Sequence, residues 1–184
     1  RRLQPPLPRM IDLHVHSKCS TRPSQWILQK LGCPESFTPP MLVHKLARER
    51  GMDLVTIADH NTIDGALQIA HLPDAFVSLE ITSYFPEDGC KVHVLCYGIT
   101  PAQFASIQRA RENIYNLRDY LRRENIACSV AHATFSVNNR LTIDHLEKLL
   151  VLFDVFEGIN GTRGKEGNLV WQQVLQSLTP DDIG

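Results

Sequence analysis

The chain has 184 residues, a formal net charge of -1, 43% hydrophobic and 21% charged residues, the balance of an ordinary soluble domain. That length supports one domain with a sizeable core. No apolar run approaches the roughly 18 residues of a membrane span, and no basic stripe offers a footprint for a phosphodiester backbone; a small molecule is the expected partner, without nucleic acid or membrane.

Residues 1–10 are basic at their ends and carry Pro5, Pro6 and Pro8 without the apolar centre of a secretory signal. They read as a linker or disordered lead, with Met10 as the natural start and the folded domain running over 11–184; the opening Arg1 implies a fragment or a processed chain. Cys19, Cys33, Cys90, Cys96 and Cys128 are odd in number, scattered, and free of any Cys-x-x-Cys pair. A disulfide framework is not expected, and a reducing compartment such as the cytoplasm is.

The first strand is predicted over 11–17. Within it Asp12-Leu13-His14-Val15-His16 places two imidazoles on one side of an extended chain, with Leu13 and Val15 opposite, because residues i and i+2 share a face. The pair suits metal chelation; by itself it also suits a polar face turned to water. A long Ser/Thr/Pro-rich loop follows over 18–40, and Thr38 with Pro39 predicts the cap and first residue of a helix that stops at Gly51. Residues 54–58 (Leu-Val-Thr-Ile-Ala) read as a buried strand ending in Asp59-His60-Asn61. Thr62 caps a helix over 63–70, closed off by Pro73.

A third strand is predicted over 75–82, with Ser78, Glu80 and Thr82 on one face. Pro86-Glu87-Asp88-Gly89 is turn chemistry, and 91–98 is a fourth strand in which His93 shares a face with Leu95 and Tyr97. Thr100-Pro101-Ala102-Gln103 opens the longest predicted helix, reaching about Asn125. A fifth strand over 127–133 contains His132, Thr142 caps a helix to Leu150, residues 154–159 make a sixth strand, and 166–178 a last helix. Strands alternating with helices predict parallel pairing through right-handed crossovers. The pattern fits an open doubly wound sheet or part of a barrel equally; in both, ligands gather at the C-terminal ends of the strands.

His44, His71 and His145 fall on helices among polar neighbours and are expected on exposed faces. His14, His16, His60, His93 and His132 instead lie in or just after strands, with Glu80 among them. Strand histidines of this number are hard to bury without hydrogen bonds or metal. Imidazole and carboxylate suit zinc, manganese or iron, and a carboxylate such as Glu80 can bridge two ions. Asp59, adjacent to His60, points the other way in an extended backbone and is assigned a supporting role. Glu157, near the end of the sixth strand, is placed to contact metal or substrate or to serve structure.

Asp12-Leu13-His14-Val15-His16-Ser17, Ala58-Asp59-His60-Asn61-Thr62, the lone Glu80, Val92-His93-Val94 and Ala131-His132 resemble, in order and spacing, the successive motifs of the PHP (polymerase and histidinol phosphatase) superfamily. The resemblance implies a distorted (β/α)7 barrel with a metal centre at its C-terminal mouth, hydrolysing phosphoesters with metal-activated water. It makes His14, His16 and Glu80 ligands of one metal, Glu80, His93 and His132 ligands of a second, and His60 a ligand of a third. Two departures bear on this: Thr21 stands where relatives carry an Asp for the third metal, and no Asp-x-His follows the sixth strand. The expectation is therefore two metals with a weakened third site, and a barrel lacking its last strand-helix unit, whose open sheet edge invites self-association. Arg22, Arg140 and Arg163, with Lys165, sit where they could meet a substrate phosphate. The leading function is a metal-dependent phosphoesterase for a small phosphorylated substrate; the alternative is a catalytically weakened metal-binding accessory module of a larger protein.

Overall fold

The computed structural model describes residues 10–20, 36–161 and 165–179. The lead 1–9, Thr21, Arg22, Cys33 and Arg163 lie outside the described residues. Five strands form one curled sheet in the sequential order β1-β2-β3-β4-β5: β1 (Ile11–Asp12), β2 (Leu54–Ile57), β3 (Ala75–Tyr84), β4 (Lys91–Tyr97) and β5 (Ala127–Val130). The helices among the described residues are α1 (Pro40–Glu49), α2 (Asp64–Ile69), α3 (Pro101–Ala110), α4 (Ile114–Arg123), α5 (Ile143–Leu152) and α6 (Lys165–Ser177).

Pairing is parallel only in the first part of the sheet. β1 to β2 and β2 to β3 run parallel, whereas β3 to β4 and β4 to β5 are antiparallel, which corrects the expectation of parallel strands throughout. The cause is the turn at 86–89: Gly89 takes φ +71°, its N–H donates to the Phe85 carbonyl at 2.8 Å, and Asp88 Oδ1 accepts from the Cys90 N–H at 2.8 Å. A connection this short can only fold back as a hairpin, because a parallel crossover needs a dozen or more residues.

Three further corrections follow from local chemistry. The single helix predicted from Pro101 to Asn125 is two, because Asn113 leaves helical geometry (φ -143°, ψ 118°) and its side chain accepts from the Tyr115 and Asn116 N–H groups; an N-cap competes with helix continuation wherever Asn can satisfy the next turn's donors. The predicted sixth strand reduces to one bridge, Val130 to Phe156. The first strand is regular only at Ile11–Asp12, although the Ala58 N–H still reaches the Val15 carbonyl at 2.8 Å. Helix α1 starts at Pro40 with Pro39 in the cap position rather than Thr38.

The sheet separates two environments. On its outer face Leu79, Ile81, Val92, Val94 and Cys96 pack against Ile107, Ile114, Leu117, Leu121 and Leu149 of α3, α4 and α5. Val43 of α1 and Ala66 and Ile69 of α2 cover Val55 and Ile57 of β2. Inside the curl, Ala58, Leu95 and Ala131 with Tyr97 form a small apolar floor. His145, expected on an exposed face, is instead buried: its Nδ1 lies 2.8 Å from Thr142 Oγ1, its ring 4.6 Å from that of Phe85 and its Nε2 3.3 Å from Asp88, so it anchors α5 to the β3–β4 hairpin. His44 pairs with Asp74 at 2.9 Å, and His71 is exposed.

Asp59 locks the end of the first strand to the end of β2. Its Oδ1 accepts the Ser17 N–H at 2.6 Å and its Oδ2 the Ser17 hydroxyl at 2.7 Å. Gly65 of α2 closes over this pair: a Cβ there would stand 2.1 Å from Asp59 Oδ2 and 2.5 Å from Ser17 Oγ. Both atoms belong to short side chains already committed to each other, so neither yields cheaply. Gly65→Ala should therefore destabilise the chain despite alanine's advantage of about 1 kcal/mol in a helix, because the overlap and the broken buried bonds cost more. A net loss of about 2 kcal/mol, or roughly 4–8 °C in Tm at this chain length, is expected from thermal unfolding; an unchanged or raised Tm would show that the Asp59–Ser17 contact is soft.

Candidate metal centre

The inner face of the curl holds one carboxylate among five imidazoles. Glu80, in the middle of β3 and 0% exposed, has His93 Nδ1 at 2.9 Å and His132 Nε2 at 3.0 Å from its Oε1. From its Oε2, His60 Nδ1 lies at 3.0 Å, His14 Nε2 at 3.2 Å and His16 Nε2 at 3.3 Å. The structure thus brings together all six residues that the sequence singled out: His14, His16, His60, Glu80, His93 and His132.

Each arrives by a different local device. His14 and His16 alternate with Val15, which packs into the α1/α2 core. His60 lies just past β2, two residues after the inner-face Ala58, and forms a parallel bridge with Glu80, while its N–H donates to Ser20 Oγ. Asn61 then turns at φ +56°, bonding its side-chain oxygen to the Thr82 N–H at 2.9 Å. His132 sits just past β5 with φ +29°, a conformation uncommon among residues with a Cβ.

The donors fall into two groups with ligand atoms close enough to hold one ion each: His14, Glu80 and His132, and His16, His60 and Glu80. Ring stacking follows the same division, with His16 against His60 at 4.8 Å and His14 against His132 at 5.8 Å. This differs from the grouping implied by the motif order, which pairs His14 with His16 and sets His60 apart. Glu80 Oε2, His16 Nδ1 and His132 Nδ1 are buried without a hydrogen-bond partner among the described residues. Three imidazole nitrogens lie within 3.3 Å of that oxygen, yet none makes a hydrogen bond of proper geometry with it. Orphaned buried acceptors surrounded by nitrogen donors fit a divalent cation bound between them. A cavity of about 420 Å³ opens over the cluster, walled by His14, His16, His60, Glu157 and Asn160 among others.

Glu157 and Asn160 are the site residues that sequence reasoning placed least well. Glu157 follows the Phe156 bridge to the end of β5, its N–H bonded to the Val130 carbonyl at 2.9 Å, and its Oε1 lies 2.8 Å from His14 Nδ1. A lone acid at the end of a strand-like run was the available signal; its partner 143 positions away was not. Arg140 is drawn elsewhere: its guanidinium donates to the Asp88 carbonyl in the hairpin turn, away from the residues that wall the cavity.

Electrostatics follow from this crowding. Burial pushes the Glu80 carboxyl up, but His93, His132, His14 and His16 outweigh it and hold the group well below the usual carboxylate range. Burial opposes charge on His14, yet its bond to Glu157 and the negative charge of the adjoining Glu80 raise it to about 10. Burial dominates at His93 and lowers it to about 4, and it raises Asp59 despite the two Ser17 bonds.

No family model matches the sequence. An uncharacterized protein of Methanocaldococcus jannaschii is 38% identical over 65 residues, 35% of this chain; the match spans 36% of that relative's length. Among solved structures, a "putative metal-dependent phosphoesterase" from Bifidobacterium adolescentis aligns with TM-score 0.53 and 18% identity over 94% of this chain and 85% of its own. An amidohydrolase from Chromobacterium violaceum, solved with bound sulfate and no metal, aligns with TM-score 0.59 and 15% identity over 89% of this chain and 81% of its own. At these identities the likeness is one of fold. No helix among the described residues is long and apolar enough to cross a membrane.

The two histidine shifts have opposite consequences for stability. His14, raised in the folded state, contributes stability that is complete below about 6.5 and lost as pH climbs towards 10. His93, lowered in the folded state, costs stability as pH falls from about 6.5 towards 4, because the unfolded chain takes up the proton first. Metal-free protein held in EDTA should therefore show its highest Tm near pH 6–7. A Tm that keeps rising from pH 6.5 to 9 would contradict the assigned protonation of His14.

Proposed function

We propose that this chain is a metal-dependent hydrolase of the PHP type that cleaves phosphate esters of a small phosphorylated substrate. The observation that carries the reading is the fully buried Glu80 carboxylate with five imidazole nitrogens within 3.3 Å, since a carboxylate taken out of water at this cost needs more compensation than imperfect imidazole contacts supply. His14, Glu80 and His132 would hold one divalent ion and His16, His60 and Glu80 a second. His93, whose Nδ1 is also 3.4 Å from His132 Nε2, adds a donor on the His132 side. When bound, such ions acidify water for attack and offset charge building on a phosphoryl group.

The chain's own residues do the rest. Glu80 is shared by both histidine groups, with Oε1 beside His132 and Oε2 beside His14, His16 and His60. The cavity above them has room for a small substrate. Ser17 and Ser20 are occupied with Asp59 and the His60 N–H, so neither hydroxyl is placed as a nucleophile and water fills that role. Zinc, manganese and iron all suit this donor set. Any contribution from Thr21, Arg22 or Arg163 would come from outside the described residues.

The test is hydrolysis of p-nitrophenyl phosphate and bis-p-nitrophenyl phosphate, with a p-nitroanilide amide as comparison, after loading with Mn2+ or Zn2+. Phosphoester cleavage that EDTA abolishes and metal restores is expected, with His60→Ala and Glu80→Gln each losing at least about 100-fold. Cleavage of the amide alone would make the chain a different hydrolase. Inactivity of the fully metallated chain on every substrate would leave the metal-binding accessory module as the better reading.

A further inference from the structure

Glu157 touches the metal centre in a way that singles out one of its two halves. Its Oε1 lies 2.8 Å from His14 Nδ1, while its Oε2 accepts the His132 backbone N–H at 2.8 Å. His14 and His132 are the two imidazoles that share one candidate ion with Glu80. Among the described residues, the Glu157 carboxylate bonds His14, the His132 N–H and Asn160. The carboxylate is itself fixed: Asn160 Nδ2 donates to both oxygens at 3.1 Å, the Glu157 N–H is tied to Val130, and the indole N–H of buried Trp171 in α6 holds the Glu157 carbonyl at 3.1 Å.

We infer that Glu157, held by Asn160, is a positioning residue for the His14–Glu80–His132 ion alone. Two functions meet in one side chain. Taking the His14 Nδ1–H commits that nitrogen as a donor and leaves Nε2, 3.2 Å from Glu80, as the atom available to a cation; such an outer partner orients a ligating imidazole and sharpens its affinity. Taking the His132 N–H stabilises a residue at φ +29°, where the backbone would otherwise relax and swing the ring off Glu80. Neither neutral nor shorter side chains can do both. A Gln can accept from His14 only by turning its amide N–H2 towards the His132 N–H, donor against donor, and an Asp falls one methylene short.

The inference rests on the metal-centre reading above and is tested by binding rather than catalysis. The 184-residue chain, stripped with EDTA, is titrated with Zn2+ against a chromophoric chelator, and Tm is followed alongside. The wild type is expected to bind in two steps; Glu157→Gln should weaken one step about 10- to 100-fold and leave the other within about threefold. His60→Ala should weaken the opposite step, and Asn160→Ala, which leaves the carboxylate in place but unfixed, should repeat the Glu157→Gln pattern in milder form. Glu157→Asp should not rescue. Equal weakening of both steps, or of neither, in Glu157→Gln and Asn160→Ala would overturn the positioning role while leaving a metal centre intact. A wild type that binds no zinc would overturn the metal-centre reading and this inference together.

Discussion

The structure depends on one expensive choice, an ionised carboxylate in the middle of β3 with no access to water. An isolated buried carboxylate would neutralise or unfold its surroundings. Glu80 does neither because five imidazoles, one from β4 and the others from the segments just past β1, β2 and β5, converge on it, and His93, His132, His14 and His16 keep it charged against burial. The curl of the sheet makes this convergence possible. Inner-face residues of strands that are sequential neighbours in the sheet all aim at the centre of the same concavity, so positions far apart in the chain become ligand-distance neighbours.

The imidazoles are held in turn by groups that never reach the centre. The Asp59–Ser17 pair, roofed by Gly65, joins the strand bearing His14 and His16 to the strand bearing His60. Asn61 and Thr82 clasp the end of β2 to β3. Glu157 ties His14 to His132 across the open side of the sheet. Each clamp joins two elements at the level of the cluster, which is where loose geometry would harm a metal site most. The apolar floor of Ala58, Leu95 and Ala131 lies directly beneath and gives the concave face its small hydrophobic base.

The hairpin end of the molecule is organised separately. Asn138 and Arg140 bond the Asp88–Gly89 turn, His145 stacks on Phe85, and Lys148 and Tyr115 meet Glu87. These contacts brace the turn that reverses β4. Without that reversal His93 would not stand opposite Thr82 and next to Glu80. A surface that sequence alone would give to solvent thus fixes the strand that carries His93.

The sequence by itself determined which side chains gather, because alternation along a strand dictates that His14 and His16, or Glu80 and Thr82, share a face, and polar residues on otherwise apolar strands must be buried for a reason. It also held the caps at Thr100 and the turn at 86–89, since those are local hydrogen-bond problems solved within four residues. Tertiary structure alone decided the rest. The antiparallel entry of β4 follows from the shortness of its turn acting on sheet pairing. Asn113 could have lain within a helix or begun one, and packing chose the second. Above all, the division of histidines into the His14–His132 and His16–His60 groups, and the reach of Glu157 to His14, are contacts between residues 44 to 143 positions apart. No period or motif encodes such distances; they exist only once the sheet has curled and brought its edges to face each other.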